Sequence, residues 1–533
     1  MLSHFAWFKG SIVNEREHLA LVWRSGRWPF VFLLAGLIVG CQRSEESTRP
    51  SEPTTANRVL SPAVESAIET FCGDCHRMPL PSSFPKSAWR DEVQRGFDFY
   101  YASRRTDLEV PVQADVHHYF VSRAPQELQL PVAKPLDAEW VSRFRQVEIS
   151  LPDAPNPAVS FVGIGELGEP LGRGLVISDM RLGGVYFVPI DSGGQTGSPR
   201  RLAKLDHPAA IRIADWDRDG LPDLLVADLG SFLPEDHDRG RVVWLQQRED
   251  SPGEFRPHTL QAGVGRVASV EVADFDGDGW EDLLVAEFGW QTTGSIFWLQ
   301  RAPSGDPLEG LIKRPLDPRE GSIHLPVADL NGDGAPDFVA LISQHHEQIQ
   351  AMINDGRGRF SAETIYEAPC PSYGSSGIDL VDLNGNGRLD ILYTNGDSFD
   401  SFILKPFHGV KWFENRGDGT FVKHDVGSLP GAHRALAGDL DGDGSLEIVA
   451  GSFIPRRLLV EQRQAGAEAL VVWKRDQAGQ YTKHVLSKGD CVHAALHLAD
   501  LDGDGRDDLI IGRFDETESP GPAVTIWYSR PAP

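Results

Sequence analysis

Cys72-Gly-Asp-Cys75-His76 places two thiols and an imidazole within five consecutive positions. A C-x-x-C-H string is the signature of covalent haem attachment: the thiols add to the two vinyl groups, and the adjacent imidazole reaches the iron from the same side. The same residues could form a redox dithiol or half of a zinc site. The other cysteines, Cys41, Cys370 and Cys491, stand apart, so no second pair completes a four-cysteine zinc site, and no βαβ pattern surrounds the motif. The reading taken is therefore haem c, attached at Cys72 and Cys75, with His76 as proximal ligand.

A second set of residues has the chemistry of a hard cation. The nine-residue string Asp-x-Asp-x-Asp-Gly-x-x-Asp, or a close variant, occurs six times. Its ligand positions are Asp215, Asp217, Asp219 and Asp223; Asp274, Asp276, Asp278 and Asp282; Asp329, Asn331, Asp333 and Asp337. The later copies offer Asp382, Asn384, Asn386 and Asp390; Asp439, Asp441, Asp443 and Glu447; Asp500, Asp502, Asp504 and Asp508. Calcium takes six to eight oxygens in flexible geometry, which this spacing can supply. The sixth position is Gly in every copy, as a sharp turn with positive φ requires. The Asp382 copy carries two Asn, and its ion is expected to leave first, because affinity follows ligand charge.

The elements that position these loops are strands. Successive copies lie 59, 55, 53, 57 and 61 residues apart. Each period has a strand entering the loop, a strand leaving it, a third with an aromatic such as Trp244, Trp298, Trp412, Trp473 or Trp527, and often a fourth. Four short strands per period predict a propeller blade. The loops resemble the calcium loops of FG-GAP/VCBS repeats, the family that includes the integrin α-chain propeller, over about residues 205–530. Residues 135–204 contain strands without a calcium loop and are expected to form a seventh blade. The last period has only three clear strands, and Phe144–Leu151 is predicted to supply its fourth and close the ring, leaving no open sheet edge.

Residues 61–134 read as a small all-α unit, with a helix running into the C-x-x-C-H motif and a later helix over about Val112–Arg123. The unit resembles small cytochrome c domains, but it lacks their usual distal Met: Met78 is two residues from His76 and cannot reach the opposite face. His117 and His118 are the candidates within the unit, and Met180 and Met352 are the candidates from the propeller. The haem unit and the propeller (135–533) are expected to be separate cores. Upstream, an apolar run of about a dozen residues, too short to span a bilayer, ends at Cys41. Leu37-Ile38-Val39-Gly40-Cys41 resembles a bacterial lipobox, which implies cleavage before Cys41, its acylation, and a periplasmic or cell-surface location, with Gln42 favouring the outer membrane. Residues 42–60 are polar and read as a tether.

The net charge is −26, and twenty-one carboxylates sit at ligand positions of the six loops, so bound calcium would neutralise much of it. No basic stripe suggests nucleic acid as a partner. Arg416-Gly417-Asp418 reads as a hairpin turn rather than an adhesion motif. No hydrolase elbow, zincin or P-loop motif occurs. His207, Arg266, His324, Tyr373, His433 and His493 stand near the starts of the loop-entering strands and are expected at the channel mouth. Two functions fit. One is a lipid-tethered electron carrier with a redox partner protein and a calcium-stabilised docking platform. The other is an oxidoreductase that acts at the channel mouth and passes electrons to the haem, as in quinoprotein dehydrogenases, whose likeness is one of architecture only.

Overall fold

The computed structural model describes residues 59–302, 304–308, 310–399, 401–461 and 466–531. The proposed signal segment, Cys41 and nearly all of the tether lie outside them. Leu60–Pro533 forms one compact unit.

Seven antiparallel sheets follow one another along the chain, spanning 159–204, 208–264, 267–317, 322–367, 375–428, 432–488 and 495–529. They are blades 1 to 7. Each of the first six is built from consecutive strands in simple meander order. Blade 7 has three strands of its own, and Phe144–Ile149 pairs antiparallel with Val524–Ser529 as its outermost strand. The ring thus closes as the sequence predicts. Blade 1, which lacks a calcium loop, is complete. In blade 4 the innermost strand is split into Ser322–His324 and Val327–Ala328. Pro326 lies in the break: it has no N–H to donate to the ladder, though its carbonyl still accepts from the Val339 amide at 3.0 Å.

The second strand of every blade is buried along nearly its whole length, as in Asp223–Asp228 and Asp390–Asn395. Both faces of such a strand meet a neighbouring blade, which explains its continuous apolar run. The cores accordingly lie between blades. Leu225, Trp244, Val270 and Phe297 join blades 2 and 3, and Val449, Val472, Leu509 and Trp527 join blades 6 and 7. Trp140 and Phe144 enter that last core, so the closing strand is held by packing as well as by its ladder. Burying each such side chain contributes about 1.5–3 kcal/mol.

The N-terminal unit has three helices: α1 (Pro62–Cys72), α2 (Trp89–Ala102) and α3 (Gln113–Arg123). Ser61 caps α1, accepting from the amide of Val64, and Pro62 fits the first turn, where no N–H is needed. The helices enclose Ile68, Phe71, Phe97, Val116 and Phe120, with Trp89 stacked on Phe120 at 4.0 Å between ring centres.

This helical unit is not independent of the propeller. Arg77 pairs with Glu367. The Ser83 hydroxyl donates to the Cys370 thiol at 3.4 Å, Lys405 lies over the Phe84 ring at 4.9 Å, and Ile403 packs against the helical core. The two hydrophobic cores are separate clusters, but the units touch through these contacts, which the sequence reading does not anticipate. The contacts come from the ends of strands and from connections whose side of the ring a linear pattern does not identify. By the meander order, Glu367, Cys370, Ile403 and Lys405 lie on the propeller face opposite the Asp-rich loops. From the helices the chain crosses blade 6, where Asp137 meets His484 at 2.8 Å, and enters blade 7.

Candidate haem and cation sites

Helix α1 ends at Cys72, and the chain turns through Gly73, whose amide still bonds the Glu69 carbonyl. The turn exposes Cys75 and half-buries Cys72 and His76. The thiols are free. Burial pushes the Cys72 thiol up to about 12. Arg105, just beyond α2, donates to Cys75 Sγ at 3.2 Å and pairs with Asp74, fixing the loop. His76 Nδ1 lies 2.9 Å from the Arg77 carbonyl. A carbonyl only accepts, so Nδ1 carries the proton and Nε2 has the lone pair. Two free thiols and an imidazole with an available nitrogen form a donor set that fits covalent haem.

The sequence candidates for the second ligand do not gather there. His117 lies near Arg90, at the start of α2, whereas Cys75 is held by Arg105 beyond its end. Fourteen residues of helix separate those points, about 20 Å. His118 neighbours His117 on α3. Met180 is buried in blade 1, and Met352 packs between blades 3 and 4. Instead, the ring of His345 stands 5.9 Å from that of His76. His345 belongs to the connection between the second and third strands of blade 4. Glu320 Oε1 lies 3.0 Å from His345 Nε2 and 3.5 Å from His346 Nε2. Burial and His346 hold His345 down at about 4, so it is neutral. Sequence reasoning missed these three residues; the adjacent His345-His346 was the one visible signal.

The six Asp-rich strings all form the tight connection between the first and second strands of blades 2 to 7. The first Asp organises the turn. Asp274 accepts from the amides of Gly277 (2.8 Å), Asp278 (3.2 Å) and Gly279 (2.9 Å). Asp329, Asp439 and Asp500 repeat that pattern. Gly279 has φ of 87°, as the turn requires. The ninth residue is fully buried and ties the blade together. Asp223 accepts from Gln247 N at the end of the third strand at 2.7 Å and from Trp216 N of the loop at 3.1 Å. Asp282, Asp337, Asp390 and Asp508 make the same two bonds, whereas of the two Glu447 makes only the one from the loop amide, that of Leu440. Position nine is therefore a structural latch that sequence spacing presented only as a ligand.

Carboxylate oxygens also converge as a cation would need. Asp215, Asp217 and Asp223 bring oxygens within 4.8 Å of one another, as do Asp274, Asp276 and Asp282, and Asp500, Asp502 and Asp504. Buried Asp215 Oδ1, Asp502 Oδ1 and Asn384 Oδ1 make no hydrogen bond. Such uncompensated oxygens fit ligand atoms. In the Asp439 loop, Asp439, Asp441 and Glu447 also converge. There, however, Lys474 Nζ lies 2.5 Å from Asp441, 2.7 Å from Asp443 and 3.1 Å from Glu447. Its ammonium stands beside the carboxylates that the sequence reading offers to calcium, although Asp441 Oδ1 and Glu447 Oε1 make no hydrogen bond there. The corresponding residues of blades 2 and 3 are Gln246 and Gln300, which bond Asp217 and Asp276. Lys474→Met is expected to raise calcium stoichiometry by one per chain in equilibrium dialysis; an unchanged stoichiometry would contradict the lysine's role.

Burial raises Asp223, Asp282 and Asp508 to about 7. A proton on these carboxyls competes with a cation, so affinity is full above that pKa and declines as pH falls through it. Between pH 8 and pH 6 calcium affinity at these loops should weaken roughly tenfold. Chelator-competition titrations at the two pH values check this, and a flat profile would show that position nine does not ligate.

The expected channel-mouth residues do not form one ring. His324 and His433 do come together with Arg434. Tyr373 is instead buried, stacked on Phe407 at 5.0 Å. Arg266 lies over Phe288 at 5.6 Å, and His207 bonds the Met180 carbonyl. His493 lies by Asp490 and Arg513. Deeper in the channel, Arg212 pairs with Glu271 and Arg434 with Asp379. Phe232 of blade 2 meets Phe514 of blade 7 at 6.0 Å, Phe514 meets Phe453 at 5.3 Å, and Phe453 meets Phe399 at 4.8 Å. The first of these contacts skips blade 1, so the rings reach across the mouth.

A profile for the FG-GAP-like repeat matches residues 215–285, 329–393 and 395–450. The chain carries FG-GAP-like repeats. The matched residues contain five of the six Asp-rich loops; the Asp500 loop of blade 7 lies outside them, and the blades together make the seven-bladed ring. Among curated proteins, an aldos-2-ulose dehydratase of Phanerodontia chrysosporium is 24% identical over 370 residues, covering 65% of this chain. The chain spans about a third of that relative, 34% of its length. Among solved structures, an Agrocybe aegerita lectin that recognises non-reducing terminal N-acetylglucosamine has TM-score 0.40 and 18% identity, covering 64% of this chain and 84% of its own. The periplasmic gluconolactonase of Pseudomonas aeruginosa has TM-score 0.40 and 16% identity, covering 65% and 97%.

Proposed function

We propose that this protein is an extracytoplasmic monohaem c-type cytochrome, lipid-tethered through Cys41, that exchanges electrons with a protein partner while its calcium-stabilised propeller serves as a docking platform. The observation that carries this reading is the free C-x-x-C-H motif at the end of α1, clamped by Arg105 and set against the propeller. The haem would be held by Cys72, Cys75 and His76 and would supply one-electron chemistry. The chain's own contribution is to orient His76 through the Arg77 carbonyl and to bring blade 4 alongside. Calcium at the Asp-rich loops would brace the opposite face. A reversible one-electron wave in voltammetry of the exported protein is the expected result; a redox-silent protein would sink the reading.

A second reading has one specific observation in its favour. The curated relative is named for action on an aldos-2-ulose, and its match covers 65% of this chain. In that reading a small sugar derivative gives up two electrons and two protons in the channel near His324, His433 and Arg434, and the electrons would leave one at a time through the haem, which the redox partner reoxidises between the two transfers. The phenylalanines across the mouth count against free access. Anaerobic mixing with aldoses, aldosuloses and sugar lactones separates the two: haem reduction by any of them favours the enzyme, and none is expected for the carrier.

A further inference from the structure

The turn that carries His345 has an unusual backbone. Gln344 and Glu347, neither of them glycine, have φ of 57° and 51° on either side of His345-His346. Non-glycine residues persist in this region only where their surroundings over-determine them, and they cluster at ligand clamps. The clamp is visible here. The buried Glu347 carboxylate accepts from the amides of Gly374 and Ser375, each at 2.8 Å, and its carbonyl accepts from Ala368 at 2.9 Å. On the other side, the Ser343 amide bonds the Gly321 carbonyl at 2.8 Å, next to Glu320. Two imidazoles and a carboxylate are thus held rigidly at the propeller face that meets the helical unit.

We infer that His345 of the propeller is the second axial ligand of the haem iron bound by His76, and that Glu320 is the positioning residue that fixes its ring. The inference rests on the haem reading above. The ring separation is compatible with one shared iron. Metal–imidazole bonds are near 2 Å, and a ring centre lies about 1 Å beyond the ligating nitrogen, so two imidazoles on one iron have centres roughly 6 Å apart. His76 and His345 stand at 5.9 Å with their planes 56° apart. Glu320 Oε1 lies 3.0 Å from His345 Nε2 and 3.5 Å from His346 Nε2, within reach for a carboxylate that orients a metal-bound imidazole, and with Nε2 turned to Glu320 the ligating nitrogen would be Nδ1. The imidazoles of α3 and the propeller methionines lie elsewhere, as described. An iron ligated from both units makes blade 4 part of the haem site, so haem potential would respond to changes in the propeller.

The test uses the full-length exported holoprotein. Wild type should give a six-coordinate low-spin ferric spectrum of bis-imidazole type in optical absorption and electron paramagnetic resonance. His345→Ala should convert it to high spin, and added imidazole should restore low spin. His345→Met should keep low spin, introduce the methionine–iron charge-transfer band and raise the midpoint potential, since axial Met raises it relative to His. Glu320→Gln should retain ligation with a shifted potential, and the control His117→Ala with His118→Ala should change nothing. A wild-type spectrum retained in His345→Ala, with haem still attached, would overturn the inference and leave the haem reading standing. So would a chelatable divalent ion lost from His345→Ala with no change in the haem spectrum, because Glu320, His345 and His346 would then be a separate cation site. Absence of attached haem in wild type would instead remove the underlying reading. If His345→Ala fails to accumulate, His345→Met decides: no methionine band means that the iron is not ligated from position 345.

Discussion

Replacing Cys72 and Cys75 together by Ala is expected to abolish covalent haem entirely, while the propeller still folds. Both thiols end in the turn after α1, and each thioether would anchor one side of the haem. The seven-bladed ring has its own cores between blades, none of which uses a haem-motif cysteine. Wild type should keep a haem-dependent peroxidase stain through denaturation and acidified-acetone extraction, and the double variant should show none. Single variants should retain partial attachment. Because the helical unit rests on blades 4 and 5 through Arg77–Glu367 and Ser83–Cys370, the double variant should also lose some thermal stability. A stain of wild-type strength in the double variant would contradict the assignment.

Removing calcium is expected to have the largest effect on stability. The converging carboxylates repel one another unless a cation or a lysine lies between them, and binding to the folded state alone adds RT ln(1 + [L]/Kd). That is about 2.7 kcal/mol per site at a hundredfold excess over Kd. With five loops lacking the Lys474 ammonium, chelation should lower the melting temperature by on the order of 10 °C. Scanning calorimetry with and without EDTA measures this. The Asp382 loop, with Asn384 and Asn386, should empty first, so Asp382→Ala should change the shift least among the five. No shift on chelation would mean that backbone amides alone hold these turns, as the contacts of Asp274 and Asp329 already do in part.

Much of the fold could be read from the sequence because a propeller repeats its grammar. A glycine at one fixed place in each loop, an apolar run after it and an aromatic in the third strand specify a blade several times over. The missing strand of the last period therefore pointed to Phe144–Ile149. The helical unit was read less completely. Trp89, Val93, Phe97 and Tyr100 mark α2 by their helical spacing and are all buried, yet only the helices on either side were singled out. What the sequence could not disclose is contact between distant segments. Lys474 reaches Asp441 across the blade, and His345 reaches His76 across the interface, with no local pattern to mark either. The buried latch at position nine was hidden for another reason: a carboxylate that binds backbone amides and one that binds calcium look identical in a sequence.

A haem held by Cys72, Cys75 and His76 would be visible in the mass of the intact protein. The protein, produced with its own export segment in a host that attaches haem c, is denatured and examined by intact-mass spectrometry together with its alkaline pyridine spectrum. The account predicts a mass increased by one haem, located to the peptide containing Cys72 and Cys75, and a spectrum of the two-thioether type. An unmodified mass with both thiols free to alkylate, obtained from a host that matures other c-type cytochromes, would contradict it.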